Sequence, residues 1–275
     1  MSNIRLQVSL GPRVPGSAAS KKCRDVFVAY FDSLGVAVDS QPFLFSDPYT
    51  GSNIPMVNFV ATIPGKDTTA QRILLLTHYD SRPRAERSSN IALREQPIPG
   101  ANDGASGTAV LMEIARILKL RIPPVGIDLL FTDGEDWGKP GDAQNYLLGA
   151  REFARASIRD KYRFAILIDM VGDASQQIYR ESFSQTYYPA LNDLVWSTAA
   201  DAGITSFVDS TRHAVQDDHI PISAAGVPTI DIIDFDYPYW HTELDTVDKC
   251  SAQSLANVGR VLASILYNPA RWPFQ

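Results

Sequence analysis

Three short apolar runs constrain what this chain of 275 residues can fold into: Ile73–Leu76, Val125–Phe131 and Phe164–Ile168. Runs of this length, set between helix-like segments, read as buried central strands. Each is followed by residues that bind protons or metals. His78 and Asp80 follow the first, Glu135 and Asp136 the second, and Asp169 the third. The second is the most informative. In Thr132-Asp133-Gly134-Glu135-Asp136-Trp137-Gly138, two carboxylates stand side by side where a buried strand gives way to a loop. Adjacent anions there repel each other, and the pair is tolerable when a cation binds one and a proton visits the other. One ligand beside one proton shuttle suits a hydrolytic or acyl-transfer metal site.

Helix-like and strand-like segments alternate along the rest of the chain. Residues 17–35 carry Val26, Phe27, Tyr30, Phe31 and Leu34 at helical spacing, and Gly35 ends the run. Residues 36–45 and 56–63 read as strands. Thr108–Leu120 reads as a helix with Val110, Leu111, Ile114 and Leu118 facing inward. Further helices are expected over 145–156, 187–202 and Ser254–Leu266, and a further strand over Thr229–Ile233. The alternation predicts an α/β protein with one domain spanning 1–275. Its architecture is a three-layer sandwich, with a mixed, mostly parallel central sheet and helices on both faces. The connection from Asp80 to Ala101 is long for a compact domain, which points to function. The segments 136–145, 205–218 and 234–250 also read as loops after strands, where α/β sheets bind ligands.

Composition excludes some classes. A formal charge of -6 leaves no basic stripe for nucleic acid, and none for an anionic membrane surface. No apolar stretch approaches the ~20 residues of a membrane span. Met1-Ser2-Asn3-Ile4-Arg5 lacks the apolar segment of a signal peptide, so the chain as written reads as cytoplasmic; an exported protein trimmed of its leader reads the same. Cys23 and Cys250 stand in no ligand spacing and are expected to be two buried free thiols. Gly104-Ala105-Ser106-Gly107 does not meet G-x-S-x-G, and the glycines at 100, 104 and 107 do not make G-x-G-x-x-G.

If the central strands are parallel, His78, Asp80, Glu135, Asp136, Asp169 and His241 converge on one rim of the sheet, with Asp103 just before a helix. Several carboxylates at one rim require a cation. Two imidazoles in the set favour zinc over magnesium or calcium. Each residue also has a plainer reading. His78 suits a core histidine and Asp103 a helix N-cap. Asp169 suits the cap of a strand end. Asp217-Asp218-His219 suits a solvated charge cluster, and His241, between Trp240 and Thr242, suits aromatic packing. His213 has no nearby companion and reads as a surface residue.

These residues resemble a known group, the zinc-dependent exopeptidases that include bacterial aminopeptidases, and within it the glutaminyl-peptide cyclotransferases. The matching pieces are Gly11–Ser17, Thr77-His78-Tyr79-Asp80-Ser81-Arg82, Gly100–Gly107, Asp133–Asp136, Ile168–Gly172, Asp217-Asp218-His219-Ile220-Pro221 and Tyr239–Thr242, in family order over almost the whole chain. The resemblance implies an enzyme acting on the N-terminus of a peptide or protein. It implies that Asp103, Asp136 and His241 bind zinc, and that Glu135 shuttles the proton. Asp169 would orient Glu135 through a hydrogen bond. Asp217 would hold substrate and assist proton transfer, and Trp240 would wall the pocket. In dizinc aminopeptidases the counterparts of His78 and Asp169 bind a second zinc, with Asp103 bridging, whereas cyclases keep these residue types with one zinc. Asp80 belongs to this second shell or second-metal group. Two positions depart from the animal cyclases: Asp136 replaces a glutamate, and Asp231 a histidine. Three functions remain open at this point: glutaminyl cyclase, zinc aminopeptidase, and a non-catalytic zinc protein that recognises peptide N-termini.

Overall fold

A computed structural model describes residues 1–274. In chain order the helices are α1 (Ser2–Ser9), α2 (Ala18–Ser33), α3 (Ala105–Leu120), α4 (Leu148–Ala154), α5 (Ser182–Tyr187), α6 (Pro189–Asp201), α7 (His219–Ala224) and α8 (Ala252–Leu266). The strands are β1 (Ala37–Ser46), β2 (Asn53–Ile63), β3 (Arg72–His78), β4 (Ile127–Thr132), β5 (Tyr162–Asp169), β6 (Ile178–Arg180), β7 (Phe207–Thr211) and β8 (Thr229–Ile233). Six strands form one sheet in the order β1-β2-β4-β3-β5-β8. The pairs β4–β3, β3–β5 and β5–β8 are parallel, and β2 joins β4 and β1 antiparallel. The sheet is therefore mixed and mostly parallel.

Alternation along the central strands explains the layers. Leu75, Leu129, Ile166 and Ile230 face one side, where they pack with Phe27 and Phe31 of α2, Leu111 and Ile114 of α3 and Val258 and Leu262 of α8. Leu74, Leu76, Leu130 and Leu167 face the other, against Ala150 and Phe153 of α4 and Ile222 of α7. A parallel strand buried on both faces has no polar side to show, which is why these strands read as unbroken apolar runs. The exception, Asp128, is neutralised at the strand's start. It accepts hydrogen bonds from Arg72 and Tyr162 and pairs with Lys161.

Helix α3 starts at Ala105, three residues before the expected Thr108, and Gly104 is its N-cap residue. Asp103 therefore does not cap the helix. Gly107 brings α3 against the sheet: a Cβ there would sit 2.2 Å from Thr77 Oγ1 and 2.5 Å from Ile168 O. The glycine-rich stretch serves this close packing. The 205–218 segment, expected as loop, contains β7, which pairs with β6 in a small second sheet. Helices α1, α5 and α7 are too short for a helical period to register in sequence. Cys23 and Cys250 are both buried and free. Among the described residues, no helix is long and apolar enough to cross a membrane.

The long connection after β3 contains only a 3-10 turn at Ile91–Leu93. Its two ends are tied by one side chain. The guanidinium of Arg13, fully buried, donates to Tyr79 O (2.9 Å), Pro99 O (3.0 Å) and Gly100 O (2.6 Å). Arg13→Met strands three buried carbonyls and is expected to cost about 3–5 kcal/mol of stability in urea unfolding. A loss below about 1 kcal/mol would contradict this role.

Candidate active site and metal centre

The carboxyl ends of β3, β4, β5 and β8 point to one rim, and the sequence-expected residues gather there. His78 ends β3, Asp169 ends β5, Glu135 and Asp136 follow β4, and His241 follows β8. The backbone that carries them is clamped by buried carboxylates. Asp245 accepts from Asn102 N (2.8 Å) and Asp103 N (3.1 Å), which fixes the turn before α3. Asp80 accepts from Glu135 N (3.3 Å) and Asp136 N (3.4 Å) and lies 3.5 Å from His78 Nδ1. Gly104, at φ +89°, allows the turn, since a Cβ there would lie 2.3 Å from Asp80 O. His241 and Met170 adopt positive φ, +57° and +46°, conformations that L side chains hold only under strong surrounding constraint.

Two donor groups result, Asp103–Asp136–His241 and His78–Asp103–Asp169, each with one donor atom per residue within 4.8 Å of the others. They share Asp103. The first group suits zinc. Its Asp103 Oδ2 and Asp136 Oδ2 are buried without a hydrogen-bond partner, and His241 Nε2 lies 3.8 and 3.4 Å from them. Buried oxygens are rarely left unpaired, so these three atoms mark a place for a cation. The other atoms of the same side chains are occupied. Arg82 donates to Asp136 Oδ1 (2.5 Å) and Asp136 O (3.0 Å), leaving Oδ2 free. Glu86 Oε1 lies 2.7 Å from His241 Nδ1, which directs Nε2 inward. Arg82 also grips both Glu86 oxygens, at 2.8 and 2.7 Å. Burial alone would raise the Glu86 carboxyl, yet His241 and Arg82 hold it down at about 2. Burial opposes charge on His241, yet Asp136 and Glu86 lift its pKa to about 9. The local field thus strongly favours positive charge.

In the second group the donor atoms face one another. His78 Nε2 lies 3.0 Å from Asp169 Oδ1 and 3.3 Å from Asp103 Oδ1. Asp169 Oδ1 also accepts from Met170 N (2.7 Å). Among the described residues no hydrogen bond joins Asp169 to Glu135, contrary to what the resemblance implies.

Beside the donors lies a cavity of about 480 Å³, lined among others by Glu135, Asp217, Trp240 and Ile233. Glu135 is half-buried on its wall. Desolvation, then Asp136 and Asp217, push its carboxyl well above the usual range. Asp217 is buried; its Oδ1 accepts from Asp218 N (2.6 Å) and its Oδ2 has no partner. Burial and the nearby Asp169 and Asp218 raise its pKa strongly. The Trp240 ring stacks 4.1 Å from His241 and 4.7 Å from Phe235.

Several sequence readings need correction. Asp217-Asp218-His219 is not a solvated cluster, because all three are buried. His213 has a companion after all, Asp236 at 2.8 Å. Asp231, buried on β8, faces His219 Nδ1 at 3.8 Å, and neither carboxylate oxygen has a hydrogen-bond partner. Sequence reasoning missed Glu86, Arg82, Arg13 and Asp245 as positioning residues. The only hint was that Arg82 and Arg13 lie inside matched segments. Glu86 and Asp245 lie in long loops with no periodicity to mark them.

Residues 58–266 match the description of peptidase family M28. The chain is 28% identical to a mouse glutaminyl-peptide cyclotransferase-like protein, over 92% of this chain and 71% of that one. It superposes on the Bacteroides thetaiotaomicron glutaminyl cyclase bound to N-acetylhistamine with a TM-score of 0.91, at 32% identity over 97% of this chain and 96% of that one. A leucine aminopeptidase precursor from the same bacterium superposes equally well, at 0.92 and 32% identity over 97% and 95% of the two chains.

The Glu86–His241 contact makes a measurable claim. Glu86→Ala is expected to weaken zinc binding about 10–100-fold in chelator competition, since the imidazole loses the group that orients it. Unchanged affinity would remove Glu86 from the metal centre.

Proposed function

Because the chain belongs to peptidase family M28, we propose that it is a zinc-dependent glutaminyl-peptide cyclotransferase, with residues 1–275 forming one catalytic domain. It converts the N-terminal glutamine of peptides to pyroglutamate and releases ammonia. The observation that carries this reading is the asymmetry of the two donor groups. In the Asp103–Asp136–His241 group Asp103 Oδ2 and Asp136 Oδ2 are buried and unpaired, whereas in the second group His78 Nε2 lies within 3.3 Å of Asp103 Oδ1 and Asp169 Oδ1. This favours one ion, held by Asp103, Asp136 and His241, and the resemblance to cyclases implies one zinc.

Asp103, Asp136 and His241 would hold a zinc ion, which when bound would supply a Lewis acid for the side-chain amide carbonyl of the substrate. The protein's own residues do the rest. Trp240 and Asp217 hold the glutaminyl residue folded, with its α-amine against its own side-chain carbonyl, so that a unimolecular closure replaces a bimolecular encounter. As the new C–N bond forms, Glu135 takes a proton from the amine. It returns the proton to the side-chain nitrogen as that C–N bond breaks and ammonia leaves. The raised proton affinity of Glu135 suits both halves of this transfer. Asp217, with one oxygen unpaired and its proton affinity raised by burial, Asp169 and Asp218, assists the same transfer. Asp169 stays engaged with Met170 N and His78, and its part is to hold His78 against Asp103.

An aminopeptidase is the second reading, favoured by the neighbouring donor group that shares Asp103. There Glu135 would activate a water for attack on the peptide bond. Mass spectrometry of a zinc-loaded incubation with a Gln-initiated peptide separates the readings: loss of ammonia is expected, a freed amino acid would favour the peptidase, and an unchanged peptide a binding protein. Glu135→Gln is expected to keep zinc and lose turnover by at least about 100-fold. Wild-type turnover in that variant would refute the shuttle.

A further inference from the structure

The cavity beside the donor groups is walled by acids, and one charged side chain on it stands apart. Arg87 is the sole lysine or arginine among the described residues lining it. Its guanidinium carbon sits over the Trp240 ring, 4.0 Å from the centroid. Its backbone is tied to the zinc-side loop, with Arg87 N donating to His241 O (3.2 Å). The side chain is exposed, and among the described residues it makes no hydrogen bond or ion pair.

The nearby acids do not explain it. Glu86, the adjacent residue, is taken by Arg82 and His241. Asp142, also on the cavity lining, is taken by Tyr49 (2.7 Å) and Asn145 (2.5 Å). Arg87 is therefore a positioned cation with its donors unused. Stacking on an aromatic face costs a guanidinium none of its in-plane N–H groups, which stay available for a planar anion.

Its place along a substrate follows from the stacking distances. Trp240 contacts both groups: its ring centroid lies 4.1 Å from that of His241 and 4.0 Å from the Arg87 guanidinium carbon. An extended peptide advances about 3.5 Å per residue. If the first residue sits at the metal centre, the second or third passes Arg87 on the way out of the cavity.

We propose that Arg87 forms a subsite for a carboxylate carried by the second or third residue of the substrate, either an Asp or Glu side chain or the C-terminus of a short peptide. The inference rests on the cyclase reading and adds the substrate class that this site prefers.

The test compares C-terminally amidated Gln-Glu-Glu, Gln-Ala-Ala and Gln-Lys-Lys, with Gln-Ala-Ala as its free acid to separate the two carboxylate sources. Ammonia release by zinc-loaded enzyme is the readout. Wild type is expected to favour the Glu peptide over the Ala peptide about threefold in kcat/KM, through KM, and to disfavour the Lys peptide. The preference shrinks as ionic strength rises from about 0.02 to 0.5 M. In Arg87→Gln the ratio falls towards one, and Arg87→Lys restores part of it. A wild-type ratio near one against amidated Gln-Ala-Ala for both the Glu peptide and the free-acid peptide overturns the proposal, as does a preference that survives in Arg87→Gln. An enzyme that releases ammonia from none of the peptides overturns the cyclase reading, and this subsite with it. Turnover of the Ala peptide without an Arg87-dependent preference overturns the subsite alone.

Discussion

The structure depends on how it tolerates crowded negative charge at the carboxyl ends of its parallel strands. Asp80, Asp103, Asp136, Asp169, Asp217 and Asp218 all lie buried there. Burial and mutual repulsion both oppose ionisation, and the pKa values of Asp103, Asp217 and Asp218 rise accordingly. Asp136 moves the other way: desolvation would raise it, but His241 and Arg82 hold it well below the usual carboxylate range. Within a few ångströms, the site thus contains a carboxylate kept ionised and carboxyls kept ready for a proton. A cation and a proton shuttle use such a difference together.

Positioning comes from a surrounding layer of ion pairs and backbone clamps. Arg82 spans Glu86 and Asp136, so one guanidinium sets the orientation of two residues in the donor region. Glu86 passes that order on to His241. Arg13 and Asp245 do the equivalent work on backbone, one closing the ends of the long loop after β3 and the other fixing the turn before α3. The loop from Asp80 to Ala101 therefore belongs to the site rather than decorating it. It carries Arg82, Glu86 and Arg87, and each acts on a different neighbour.

The legibility of the chain varied with the kind of signal. Leu74–Leu76, Leu129–Phe131 and Ile166–Ile168 are buried on both faces, so their composition announces central strands, and the chemistry-bearing residues follow directly at the strand ends. Asp103, Asp136 and His241, named as zinc ligands by family likeness, come together in one donor group. Asp103 suits a cap in sequence because it closely precedes the helix, but Gly104 takes that position. Asp169 was expected to hydrogen-bond Glu135 but turns to His78 and Met170. The first concerns a helix boundary and the second a side-chain direction, which depends on neighbours distant in sequence.

What the sequence by itself determined is the alternation of buried strands and helices, hence the sheet's two covered faces and the rim where acids and histidines gather. These follow from local hydrophobic patterning, which acts over a few residues. Only the tertiary structure decided which oxygen of each carboxylate is spoken for. Glu86 meets His241 across 155 positions and Arg82 meets Asp136 across 54. Contacts so remote leave no periodic trace, because they are set by how loops from separate strands pack around shared charges.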